Sequence, residues 1–181
     1  MRLFISINFS ADTRARLVAL GDQLRRRSRR GNFSLAANLH LTLVFLGECD
    51  AERAGAAQAA LRALRFAPFA VEIERVGWFR RDGGDIWWAG VGDSAALMDV
   101  HRQLINNLIA AGFALEQRPY HPHITLGRQV ITDAKPWPVT PFGQTVSTIH
   151  LMRSERLGGR LTYTPLQQIE ADGGEAVSSI S

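Results

Sequence analysis

The sequence predicts an α+β fold with antiparallel strand pairing and two similar lobes that face each other. Three observations predict it. Strand and helix patterns alternate along the 181 residues, yet turn signals such as Arg81-Asp82-Gly83-Gly84-Asp85 join neighbouring strands as hairpins. Hairpins favour antiparallel pairing over a doubly wound parallel sheet. A phrase of His, apolar, Thr, apolar is also written twice, as His40-Leu41-Thr42-Leu43 and His123-Ile124-Thr125-Leu126. Both copies sit in strand patterns near a helix, so a duplication accounts for the repeat. No long linker separates the halves. Residues 1–170 are therefore expected to form a single bilobal domain, and residues 171–181, which lack a core pattern, a flexible tail.

The elements follow in order. "RLFISINF" alternates and is apolar-rich, which predicts a strand. Ser10 or Asp12 is placed to cap the helix that follows, with Leu17, Leu20 and Leu24 at helical spacing and an end expected near Gly31. "LHLTLVFLG" is a second strand. "AERAGAAQAALRALRF" is an Ala-rich helix stopped by Pro68. "FAVEIERVGWFR" and "DIWWAGVG" form a hairpin. Asp93 or Ser94 caps a helix that ends at Gly112. "HPHITLGRQ" is a strand, the Pro-rich "AKPWPVTPFG" a loop, and "TVSTIHLMRSE" and "RLTYTPLQQIE" the last strands.

Composition narrows the classes. The hydrophobic share of 46% is ordinary for a globular chain. No apolar run reaches the roughly 18 residues of a membrane span, and the opening segment is not patterned as a secretory signal. Cys49 is the single cysteine, which rules out an internal disulfide and fits a soluble protein of a reducing cytoplasm. The net charge is +4, and Lys135 is the only lysine. Arginine suits bidentate phosphate contacts, although GC-rich coding gives the same bias. The run Arg25 to Arg30 reads first as a solvated face, with contact to a nucleic-acid backbone as the alternative.

Side chains alternate along a strand. In the first copy Leu39, Leu41, Leu43 and Phe45 share an apolar face, while His40 and Thr42 share the other. In the second copy Ile124 and Leu126 oppose His123 and Thr125. Lobes that face each other bring two imidazoles and two hydroxyls to one cleft. That set suits phosphoryl chemistry without a metal. One neutral His takes a proton from the attacking hydroxyl, and one protonated His delivers a proton to the leaving oxygen. The threonines donate to phosphate oxygens. These residues alone leave the two histidine roles interchangeable.

Other residues carry less. His121 and His123 share a face, but no third ligand lies near them in sequence, so no metal is expected. His101 and His150 read as structural, and Cys49 as inert. Trp78, Phe79, Trp87 and Trp88 read mainly as core. Phe33 and Tyr120, nearer the motifs, are candidates for base stacking.

"RLFISINF", "NLHLTLVFLGE", "RPYHPHITLGR" and "YTPL" at Tyr163–Leu166 resemble the two-histidine phosphoesterases, and among them the RNA 2',3'-cyclic phosphodiesterases, also called 2'-5' RNA ligases. The resemblance spans most of the chain. It implies a bilobal α+β fold with a cleft between two antiparallel sheets and helices outside, hydrolysis of 2',3'-cyclic phosphate RNA ends to a 2'-phosphate, and ATP-independent 2'-5' joining when an RNA 5'-hydroxyl replaces water. It implies His40 as general acid, His123 as general base, and Thr42, Thr125 and Arg128 as phosphate contacts. Strict alternation turns Arg128 away from Thr125, so a bend or bulge at Gly127 is expected to re-aim it. No cofactor, membrane or obligate protein partner is implied. The expected partner is an RNA end, tRNA-derived among the options, and the expected state is a monomer. The alternatives are a small cyclic phosphate or a 2'-5' linked oligonucleotide as substrate, or a non-catalytic RNA-end-binding module.

Overall fold

The computed structural model describes residues 1–173. The chain runs β1 (Arg2–Asn8), α1 (Ala11–Arg26), β2 (Ser28–Phe33), a short 3-10 turn (Ala36–Asn38), β3 (His40–Glu48), α2 (Ala51–Arg62), β4 (Phe69–Phe79), β5 (Asp85–Val91), α3 (Ala95–Ala110), β6 (His123–Thr132), β7 (Trp137–Val146), β8 (Thr148–Leu157) and β9 (Arg160–Glu170). The strands form a four-stranded sheet, β3-β1-β8-β9, and a five-stranded sheet, β2-β6-β5-β4-β7. Every pairing is antiparallel. The expected α+β class with two antiparallel sheets is what forms.

The lobes are not successive halves of the chain. The first sheet takes strands from both ends, and the second takes the middle together with β2. Helix α1 leaves the first sheet and packs against β2, β6 and β7 of the second, while α2 packs on β8 and β9. Leu17 and Leu24 of α1 and Leu97, Leu104 and Leu108 of α3 are fully buried, each worth about 1.5–3 kcal/mol of apolar transfer.

Helix ends follow local chemistry. Ser10, Asp50 and Ser94 are the N-caps, and each side chain accepts from the backbone N–H three residues on. Gly112, at φ 97, ends α3. Phe113 N–H bonds Leu108 O and Gly112 N–H bonds Ile109 O, the paired closure that a left-handed residue permits.

Three expectations need correction. Helix α1 stops at Arg26 instead of near Gly31, and Ser28 Oγ donates to Leu24 O at 2.7 Å as the chain turns into β2. β2 is a sheet edge with four exposed residues in its middle, so it carries no apolar alternation to read. The Pro-rich segment is a strand, not a loop. β7 lies at the other edge of the five-stranded sheet, where missing N–H groups at Pro138 and Pro141 are tolerated. Phe45 leaves the apolar face. β3 bulges where Ile5 stands opposite Val44 and Ser6 opposite Thr42, so Val44 is buried and Phe45 is 63% exposed. At the end of the chain Ala171 is buried, and its N–H bonds Ser147 O. Residues 174–181 of the expected tail lie outside the described residues.

Candidate active site

β3 and β6 approach each other between the two sheets. His40 and Thr42 from β3 and His123, Thr125 and Arg128 from β6 line one cleft of about 1020 Å³, together with Phe33 and Tyr120. The residues singled out from the sequence thus surround one cavity.

The two histidines are held alike. His40 Nδ1 lies 2.7 Å from Asn38 O, and His123 Nδ1 lies 2.6 Å from His121 O. A carbonyl only accepts, so Nδ1 carries the hydrogen in both rings and Nε2 is left for chemistry. His40 Nε2 is 2.8 Å from Thr42 Oγ1. The hydroxyl donates to the neutral ring and accepts from the protonated one. For His123 Nε2 no protein partner is present among the described residues.

Burial lowers the pKa of His40 below the ordinary 6.5. The Asn38 carbonyl opposes this, and the charges of His123 and Arg128 add to the lowering. Burial also lowers His123, against the pull of the His121 carbonyl, with Arg128 and then His121 adding to the lowering. Arg128 therefore lies close enough to bias both rings. It reaches the cleft through the expected bulge. Thr125 stands opposite Trp88 and Gly127 opposite Trp87, which leaves Leu126 unpaired. Leu126 and Gly127 are buried in succession, and Arg128 emerges on the side of Thr125. A Cβ on Gly127 would sit 3.0 Å from Val130 and 3.1 Å from Phe33, so the close packing there favours glycine.

Each histidine also meets an aromatic ring edge-on. Tyr163 of β9 meets His40 at 5.0 Å and 89°, and Phe79 of β4 meets His123 at 5.0 Å and 85°. In the sequence Tyr163 stands out only as part of a motif. β9 and β3 lie at opposite edges of their sheet, a proximity that no strand pattern encodes. The sequence setting of Phe79 suggests core, yet its ring lines the cleft. Trp87 is the fully buried member of that aromatic group.

The remaining candidates are placed as follows. Tyr120 donates its hydroxyl to Thr42 O and lies flat on His101, with ring centroids 4.1 Å apart. Its hydroxyl and one ring face are thus engaged within the protein. Phe33 faces the cleft with the Arg25 guanidinium 5.0 Å from its ring. The run Arg25–Arg30 does not line the cleft. The turn from α1 to β2 disperses it, with Arg25 over Phe33, Arg27 over Trp137 and Arg29 paired to Asp133. No helix among the described residues is long and apolar enough to cross a membrane.

Residues 13–157 match the family model described as the 2'-5' RNA ligase superfamily. The chain belongs to that superfamily. A Thermotoga maritima member named RNA 2',3'-cyclic phosphodiesterase is 31% identical over 131 residues, 71% of this chain and 70% of that one. An Escherichia coli member of the same name is 30% identical over 170 residues, 92% of this chain and 94% of that one. The crystal structure of E. coli LigT complexed with 3'-AMP superimposes with a TM-score of 0.82 at 28% identity, covering 94% of this chain and 98% of that chain. This superfamily member shares the two-sheet architecture with that structure, and the family expected from its motifs is the one found.

Proposed function

We propose that this member of the 2'-5' RNA ligase superfamily is an RNA 2',3'-cyclic phosphodiesterase that opens the cyclic phosphate at an RNA end to a 2'-phosphate. The observation that carries the reading is the matched pair of imidazoles. Each is pinned through Nδ1 to the carbonyl two residues back, and both border one cleft.

In the proposed reaction His123 Nε2 takes a proton from water as the water oxygen bonds to phosphorus. The P–O3' bond breaks, and His40 Nε2–H gives its proton to O3'. Thr42, Thr125 and Arg128 hold the non-bridging oxygens as charge grows. The difference between the rings supports this division. His40 Nε2 has a hydroxyl that accepts from its protonated form, whereas His123 is bonded through Nδ1 and its Nε2 has no protein partner among the described residues. An RNA 5'-hydroxyl in place of water gives 2'-5' joining by the same two groups: His123 takes the hydroxyl proton as its oxygen bonds to phosphorus, P–O3' breaks, and His40 protonates O3'.

The test is incubation with a short RNA ending in a 2',3'-cyclic phosphate, in excess EDTA, with identification of the product. A 2'-phosphate is expected, and His40→Ala or His123→Ala should lower turnover by about 10²–10⁴-fold. A 3'-phosphate would overturn the assignment of the leaving oxygen. Wild-type turnover in both variants would overturn the histidine mechanism. Turnover of a cyclic mononucleotide in preference to the RNA would favour a small-molecule substrate.

A further inference from the structure

Five arginines line the cleft, Arg81, Arg118, Arg128, Arg156 and Arg160, against one carboxylate, Glu116. That local excess equals the net +4 of the whole chain, so the rest of the molecule is balanced. Outside the cleft, five of the fifteen arginines are in ion pairs among the described residues: Arg29, Arg75, Arg80, Arg102 and Arg153. Within the cleft Arg118 is paired with Glu116. Arg81, Arg156 and Arg160 have no carboxylate partner among the described residues.

These three stand on two hairpins, one from each sheet. Arg156 and Arg160 flank the β8–β9 turn, where Gly158 (φ 58) and Gly159 (φ 78) make a tight two-residue connection. Arg156 Nη1 also donates to Gly159 O at 3.2 Å. Along β9, Arg160 lies three residues, roughly 10 Å, before Tyr163, the ring that meets His40. On the other hairpin the Arg81 guanidinium lies 5.7 Å from the Phe79 ring, which meets His123. Arg128 biases both histidines, and the three hairpin arginines are not among the groups that do. They line the cleft from the two hairpin ends.

We infer that Arg81, Arg156 and Arg160 form a second anion site, which holds backbone phosphates of the RNA strand leading to the reacting end. The inference rests on the proposed function and narrows its substrate. A cyclic mononucleotide carries one phosphate, and Arg128 with the histidines and threonines already serves it. Three further unpaired guanidiniums match a strand that brings one phosphate per nucleotide.

The test compares adenosine 2',3'-cyclic phosphate with a ten-nucleotide RNA ending in the same group. In the wild type the RNA should have the lower KM. Arg156→Gln/Arg160→Gln should raise the KM of the RNA about tenfold relative to that of the mononucleotide, the size of one charged contact. Its log KM against log salt slope should fall by about 0.7 for each phosphate no longer neutralised. Arg156→Lys/Arg160→Lys, which keeps both charges, should retain most of the slope and controls for folding. Equal KM values for both substrates in the wild type, or an equal rise for both in the Gln variant, would overturn the inference. Fluorescence anisotropy of the labelled RNA on the His123→Ala background separates the two claims. Binding weakened by Arg156→Gln/Arg160→Gln, with no hydrolysis by the wild type, would retain the anion site and remove the proposed reaction. Binding unaffected by that double substitution would remove the anion site.

Discussion

Tyr120 donates its hydroxyl to the main-chain carbonyl of Thr42 across 2.7 Å, so the segment entering the second motif is bonded to the strand of the first. The flat stack of its ring on His101 fixes the direction of that bond. Burial raises the phenol pKa above its ordinary value, so the hydroxyl keeps its proton throughout the pH range of histidine chemistry. The bond thereby sets the spacing of the two side-chain sets that meet one phosphate in the proposed reaction.

Tyr120→Phe keeps the ring and the stack but leaves the Thr42 carbonyl without this donor. The expected loss of unfolding free energy is about 1–3 kcal/mol, read by urea denaturation. kcat/KM should fall as the motifs lose register, with both limbs of the pH profile unmoved because neither histidine is touched. Wild-type stability and activity together would remove Tyr120 from this positioning role.

Arg128 has a different signature. Its charge lowers the pKa of both His40 and His123. A mechanism that needs one neutral and one protonated imidazole gives a bell whose limbs are those two pKa values. With both below 6.5, the free-enzyme optimum in kcat/KM should lie on the acid side of an unperturbed histidine pair. Arg128→Gln removes a positive charge, so both limbs should move to higher pH while the maximum falls because the phosphate has one ligand fewer. A fall with no movement of the limbs would leave Arg128 as a phosphate ligand alone.

Much of this site is legible in the sequence because it lies on regular strands. Period-two alternation puts His40 beside Thr42 and His123 beside Thr125, and the repeat implies that they meet. Arg128 is singled out only by the family resemblance, because strict alternation turns it away from Thr125 and the bulge between Thr125 and Gly127 brings it back. Phe45 is misplaced by simple alternation because the β3 bulge falls among Leu43, Val44, Phe45 and Leu46, where every residue is apolar and a slipped face leaves no trace. β2 and β7 escape a pattern reading because edge strands are held by backbone bonds to one neighbour and need no apolar alternation. Tyr163 meets His40 over Phe4 of β1, whose ring lies 4.8 Å from His40 and 4.9 Å from Tyr163, a contact between distant strands that local sequence does not record.

Acid should destabilise the fold before its carboxylates titrate. His40, His101, His123 and His150 all have pKa values lowered from 6.5, with burial the leading cause in each. The unfolded chain then binds protons more tightly than the folded one. Stability should be complete above about pH 6.5 and decline as pH falls below it. Urea midpoints measured from pH 7.5 to pH 5, above the ordinary carboxylate range, should decrease steadily. His40→Gln should flatten the decline by removing one contributor. A flat wild-type series would show that these rings exchange protons with no preference for the unfolded chain.

Two glycines separate packing of the fold from packing of the site. A Cβ on Gly143 would lie 1.8 Å from Val71 O, the backbone of the neighbouring strand, which cannot yield without separating β7 from β4. No residue of β7 lines the cleft. Gly143→Ala should therefore cost about 1–3 kcal/mol of stability and leave kcat/KM of the remaining folded protein near wild type. A Cβ on Gly77 would lie 2.4 Å from the Trp88 ring, a side chain that can move. Trp88 packs at 5.3 Å against Phe79, the ring set edge-on to His123. Gly77→Ala should thus lose less stability than Gly143→Ala but more activity, because the displaced indole shifts the support of His123. The reverse order in the two measurements, denaturation midpoint and kcat/KM, would show that Trp88 does not hold His123 in place.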